Sequence, residues 1–235
     1  MDKKILLILL ILQINLLFSQ GSSFAPPPGT IKLIDSLYID KAPVSNLMIA
    51  EMEDYFEKGK DTMPGFPSFP FDPDDIDLGT SYSSFFASLE DPAWKHYNRY
   101  ANFSNHPALY LTREQAELYC RWRTGMVNRM LWIKSVNPEE KVKSPTEVLY
   151  RLPTEEEYQQ AVNFFEGKGR LKYTKEESPL DLKPKWKLSN RFFIYNVSEY
   201  TAVDGVTGSN WKEESPSGSP NDYTGFRCIC EIREN

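Results

Sequence analysis

The stretch RLPTEEEYQQAVNFF, residues 151–165, decides how the chain is organised. Pro153 ends an extended run, because its ring restricts the residue before it and removes a backbone donor. Thr154 follows as a helix N-cap, and Glu157 stands three residues later to complete a capping box. Glu155, Glu156 and Glu157 fill the first turn, where the helix dipole favours anions. Tyr158, Ala161, Val162 and Phe165 then recur at i, i+3, i+4 and i+7. The pattern predicts a strand end followed by a helix over 154–166 with one buried face. The three carboxylates read as capping and solvated groups rather than as catalytic ones.

Working outward, the same signals recur. Thr112 and Gln115 form a second capping box and start a helix over 112–131. Ala116, Tyr119, Cys120 and Trp122 lie on its packed side, which turns Cys120 inward. Ser45 caps an earlier helix, with Val44 and Ile49 at staple positions and Met48, Met52 and Tyr55 on one face. Before it, Ile31, Leu33, Leu37 and Ile39 alternate around a break near Asp35, predicting two short strands. At the far end, GFRCICEI (225–232) reads as a strand. Phe226, Cys228, Cys230 and Ile232 share one face, and Arg227, Ile229 and Glu231 share the other. Residues 202–224, rich in Gly, Ser, Asn and Asp, read as loop. MPGFPSFPFDPDD (63–75) interleaves Pro with Phe66, Phe69 and Phe71, which excludes helix and central strand. Those rings either pack onto the domain or contact a partner.

Composition narrows the class. With 235 residues, 40% hydrophobic and 14% aromatic, the chain suits one packed domain, and 17 prolines against 12 glycines suit a loop-rich one. A net charge of -6 without a basic cluster argues against nucleic acid as a partner. His96 and His106 are too few for a histidine-rich metal site. No serine-hydrolase elbow, HExxH, P-loop or dinucleotide fingerprint is present.

The N-terminus has the form of a signal peptide: Lys3 and Lys4, an apolar run from Ile5 to Phe18, then Ser19 to Ser23. The run is short for a membrane span, and cleavage is expected between Ser19 and Ser23. The expected layout is a signal peptide over 1–20, a Pro-rich linker over 21–29 and one domain over 30–235. Export makes a disulfide reasonable among Cys120, Cys228 and Cys230, with one thiol left over.

Four segments, in order, resemble the formylglycine-generating enzyme or sulfatase-modifying factor family: SLYIDKAPVSNLMIAEM (36–52), NHPALYLTREQAELYCRW (105–122), RLPTEEEYQQA (151–161) and GFRC (225–228). The resemblance implies an α+β fold, irregular, loop-rich and C-type-lectin-like. It implies that Cys120 pairs with Cys228, leaving Cys230 as the free thiol. It also implies a structural role for His106. The family's enzymes hold copper through two cysteines five residues apart, after a Gly-Gly-Ser-aromatic motif. Here Gly208, Ser209, Asn210 and Trp211 echo that motif, but the cysteine positions fall near Glu213 and Gly218. No cysteine lies between Cys120 and Cys228. Family members also bind calcium through an Asn-Val-x-Glu-aromatic segment with a preceding Asn or Asp. YNVSEY (195–200) matches, which makes Asn196, Val197 and Glu199 calcium candidates, while the preceding ligand falls on Phe192.

The signal-peptide pattern, the resemblance and the missing cysteine pair together lead to the expectation of an exported, non-catalytic binding or assembly module of a cell-envelope complex, lying in the periplasm, at the outer membrane or outside the cell. Related proteins include gliding-motility and secretion-associated envelope components. An envelope protein is the expected partner, with a small ligand or glycan as another and membrane association only through a partner. No catalytic residue and no resident cofactor are expected, calcium apart. The alternative is an atypical formylglycine-generating oxidase acting on a protein cysteine. Phe66, Phe69 and Phe71 are the expected contact residues, with Trp94, Tyr97, Tyr100 and Phe103 as further candidates.

Overall fold

A computed structural model describes residues 26–57, 97, 101–136, 147–174, 176, 181–184, 190–211 and 220–233. The signal segment, Phe66, Phe69, Phe71, Trp94, His96, Tyr100, Glu213 and Gly218 lie outside the described residues.

The two N-terminal strands form as expected: β1 is Thr30–Ile34 and β2 is Leu37–Asp40, paired antiparallel. Asp35 takes a left-handed φ of 31° at the break. Helix α1 covers Asn46–Glu57. The Met48 N–H donates to the Ser45 hydroxyl at 3.4 Å, and Val44 and Ile49 are both buried, as a capped and stapled start requires.

Helix α2 covers Arg113–Val136 and begins with the reciprocal Thr112–Gln115 box. It runs past the expected end at 131, because nothing breaks it before Asn137-Pro138, where proline disfavours the helical conformation of its predecessor. Strand β3 (Glu147–Arg151) leads through Leu152 and Pro153 into α3 (Glu155–Gly167), whose capping box is complete. Tyr158, Ala161 and Phe165 are buried and Val162 is partly so.

The central sheet has the order β1-β2-β9-β3, with β9 at Ile229–Arg233 and every pairing antiparallel. The alternation read in the last strand sorts its two faces. Cys230 and Ile232 join Tyr38, Val148 and Tyr150 in the core shared with α1 and α2. Ile229 joins Ile31, Leu33 and Ile39 against Ala161 and Phe165 of α3. The sheet is therefore a middle layer with helices on both faces. Its β3 edge is closed by α2 side chains: the Tyr150 N–H donates to Thr124 Oγ1 at 2.9 Å, and Asn128 bonds both the N–H and the carbonyl of Val148.

Regular pairing in the last strand starts at Ile229 rather than at Gly225. The preceding Phe226 and Cys228 carbonyls instead accept from Val44 and Asp40 N–H groups. Five short strands complete the fold: β4 (Leu171–Tyr173), β5 (Phe192–Ile194), β6 (Ser198–Tyr200), β7 (Val206–Thr207) and β8 (Thr224–Gly225). β4 pairs parallel with β5, and β6 lies between β7 and β8. The region read as loop, 202–224, thus contains β7 and the first residue of β8. Two-residue strands are too short to show alternation.

Gly225 sits where chains cross closely, since a Cβ there would stand 3.0 Å from the Ala108 carbonyl and from Val197. Among the described residues no helix is long and apolar enough to cross a membrane.

Candidate functional site

Among the described residues two ion pairs, Asp40–Arg123 and Glu199–Arg227, are buried. Asp40, at the end of β2, receives both terminal nitrogens of Arg123 at 2.8 Å and the Cys228 N–H at 2.9 Å. Arg123 also donates to the Pro28 carbonyl and lies over the Tyr150 ring, 4.2 Å from its centroid. Arg227, fully buried, grips Glu199, also fully buried, through two hydrogen bonds of 2.5 and 2.6 Å. Its remaining donors reach the Asp40 and Phe193 carbonyls at 3.1 and 2.9 Å. A carboxylate and a guanidinium in this fork-to-fork arrangement satisfy each other's charge and hydrogen bonds together. These two pairs tie β2, α2, β6 and the approach to β9 into one unit.

Sequence periodicity did not reveal these pairs. One sign was present: Arg227 shares a strand face with Ile229, and an arginine on an apolar face calls for a buried partner. Glu199, expected as a calcium carboxylate, is instead the counter-ion of Arg227. Asn196 offers its carbonyl to the Trp211 N–H at 3.1 Å, and Val197 is buried in the Leu109–Tyr195 cluster. Among the described residues, no three His, Cys, Asp or Glu side chains come together in a way that could hold a metal ion.

The three cysteines lie in the core. Cys120 on α2 and Cys228 bring their sulfurs to 3.3 Å as two thiols in contact. Cys230, also fully buried, faces the same helix layer. Burial raises the Cys228 thiol pKa, and the adjoining Cys120 raises it further. Burial likewise pushes Cys230 up to about 12, against the smaller opposing effects of Tyr150 and Arg123. Copper(I) in a formylglycine-generating site needs accessible thiolates. All three sulfurs are buried, and Cys228 and Cys230 are not readily ionised, so they do not fit that group.

Of the aromatic candidates, Tyr97 is fully buried, stacked on Phe103 and donating its hydroxyl to the Pro107 carbonyl, so it belongs to the core. His106 is buried edge-on to Phe103 and Tyr97. Burial lowers its pKa, opposed by the Leu182 carbonyl, which fits a structural imidazole.

An open cleft of about 680 Å³ lies where three loops meet at the start of α2. Tyr110 to Glu114 form one wall, Tyr200, Asp204 and Gly205 a second, and Pro220 to Asp222 a third. Tyr110 holds a φ of 63°, rare for a bulky side chain. Tyr200 donates its hydroxyl to the Leu111 carbonyl at 2.8 Å. Arg113 secures the second wall: it lies 5.3 Å from the Tyr200 ring centroid and donates to the Thr201 and Gly205 carbonyls. Those bonds commit its guanidinium, and Asp204 beside it is fully exposed. Glu114 and Asp222 are also exposed on the rim. The cleft is therefore tyrosine-walled and acid-rimmed. No pattern in the sequence marked it, because its first wall, Tyr110 to Glu114, is far in sequence from the two walls between Tyr200 and Asp222.

No curated protein and no solved structure matches the chain. A sequence model of the family described as "Sulfatase-modifying factor enzyme 1-like domain" matches residues 15–209. That span covers most of the chain and includes the capping-box helix, α2 and the Glu199 strand. The chain belongs to the sulfatase-modifying factor family.

Proposed function

We propose that this chain is an exported, non-catalytic member of its family that works as a binding or assembly module in a cell-envelope complex. The observation that carries this reading is the burial of all three sulfurs in the core. Copper-thiolate oxidation of a cysteine needs a reachable pair, and the segment where relatives place theirs has no cysteine. The irregular, C-type-lectin-like arrangement is part of the same reading, since it would leave loops free to form a recognition surface.

The cleft is the surface best shaped for that role. Its volume lies within the range of ligand sites, and its wall carries a strained tyrosine of the kind that collects at functional positions. The acid rim favours a polypeptide partner carrying basic side chains over an anionic one. The envelope location rests on the basic and apolar N-terminal segment.

The test is site-specific photocrosslinking in intact cells of the native host. A photoreactive residue placed at Glu114 or Asp222 on the rim should trap one envelope protein reproducibly, and one placed at Lys172 on the exposed β4 should not. Equal trapping from both positions, or none from the rim, would remove the cleft as the contact surface.

A further inference from the structure

Charge is unevenly placed along this chain. Residues 168–191 carry eight Lys and Arg against three Asp and Glu, while the whole chain has 27 against 33. No two of the eight are adjacent, so no basic run stands out in the sequence. The fold gathers four of them. Lys168, Arg170 and Lys172 follow one another from the C-cap of α3 into β4. The Arg170 carbonyl accepts from the Phe192 N–H at 3.0 Å, and the Arg170 Nε donates to the Asn190 carbonyl at 2.6 Å, which sets Arg191 alongside. Lys168, Lys172 and Arg191 are exposed, and Arg170 is half-buried. None of the four forms an ion pair among the described residues. Glu166 is the one carboxylate between residues 164 and 173. Two aromatic rings border the cations: Lys168 Nζ lies 4.1 Å from the Phe164 centroid, and Tyr173, at the end of β4, is 59% exposed. Among the described residues β4 pairs with β5 alone, so it is an edge strand.

We propose that the strip formed by Lys168, Arg170, Lys172, Tyr173 and Arg191 docks on an anionic lipid surface and holds the domain against a membrane directly. Lys and Arg are drawn to the negative surface potential of anionic headgroups, each strengthening binding about fivefold. The four cations are strung along a strand and its neighbour instead of converging on one point. That spacing suits a plane of many charges better than a single bound anion. An exposed tyrosine beside them adds the amphipathic ring that settles at the headgroup level of a bilayer. The rest of the chain carries an excess of Asp and Glu, which such a surface repels, so the strip also fixes how the domain faces the membrane. The strip shares no residue with the cleft between Tyr110 and Asp222, and the inference does not depend on what the cleft binds. It leaves position 172 facing lipid rather than a protein partner.

The test is co-sedimentation of the purified chain with vesicles of phosphatidylcholine alone and with vesicles that also contain phosphatidylglycerol. The expected result is binding to the anionic vesicles only, lost at about 0.5 M salt, where exposed charges are screened. Lys168→Gln combined with Lys172→Gln should weaken that binding about thirtyfold. Arg121→Gln combined with Lys134→Gln makes the same charge change at exposed positions of α2 and should leave binding unchanged. All four positions are exposed, so circular dichroism should show both double variants folded. No preference for the anionic vesicles overturns the inference. Equal weakening by the two double variants also overturns it, because net charge rather than the strip would then decide binding. Binding to the soluble polyanion dextran sulfate with none to vesicles overturns it as well, and would make the strip a surface for acidic glycans.

Discussion

Removing the carboxylate of Asp40 should destabilise the domain more than any exposed charge change. Asp40 is 4% exposed and Arg123 is 6% exposed, so their attraction is little screened by water. Asp40→Ala removes both bonds to Arg123 and the bond from the Cys228 N–H. A buried charge left without its partner costs about 3–5 kcal/mol. A stranded buried N–H adds about 1–3 kcal/mol. The combined loss, about 4–8 kcal/mol, is a large part of the total stability of an ordinary domain, about 5–15 kcal/mol. Asp40→Ala should therefore be barely folded. The informative experiment is a double-mutant cycle of Asp40→Asn, Arg123→Met and the pair, followed by urea unfolding at neutral pH. Asparagine keeps an acceptor for the Cys228 N–H, and the double variant buries no charge. Its loss should fall short of the summed single losses by about 2–3 kcal/mol. Additivity within about 0.5 kcal/mol, with single losses below about 1 kcal/mol as for an exposed pair, would refute the reasoning.

Glu157 should make the domain acid-sensitive. Burial opposes its charge, but the hydrogen bond from Arg151 and the Thr154 N–H outweigh burial and hold its pKa below the usual 4.5. A depressed carboxylate pKa contributes stability that is present above 4.5 and is lost as pH falls through the folded value. Glu157→Gln should lower stability at pH 7 and flatten the acid limb of the Tm profile, and an unchanged acid limb would count against the Arg151 network. In the oxidised chain, peptide mapping without reductant should recover Cys120 joined to Cys228. Cys230 should alkylate only after unfolding. The bridge spans a sequence separation of 108 residues, and reducing it should cost about 4–5 kcal/mol. A Cys228–Cys230 bridge would contradict this arrangement.

Local chemistry was legible wherever it repeats over a few residues. Both capping boxes, the staple at Val44 and Ile49, and the two faces of the last strand stand where periodicity places them, because each is decided by neighbours in sequence. The Tyr158–Phe165 stripe also packs as read. The partners of Arg123 and Arg227 were not legible, because they stand 83 and 28 residues away, at separations with no period. Glu199 shows the limit of transferring a motif. The YNVSEY segment keeps the family's pattern, yet the role of its carboxylate is decided by Arg227, which the motif does not contain. The cleft was invisible for the same reason, since its three walls meet only after the sheet and α2 have packed.

The central claim is that this member of the family has no copper-thiolate chemistry. The direct measurement is to incubate the purified, copper-supplied chain with a cysteine-containing peptide and oxygen, then examine the peptide by mass spectrometry for an aldehyde. The account predicts unmodified thiol at every time point and no copper-dependent oxygen consumption. Conversion of the cysteine to formylglycine, dependent on copper and on Cys228, would contradict it.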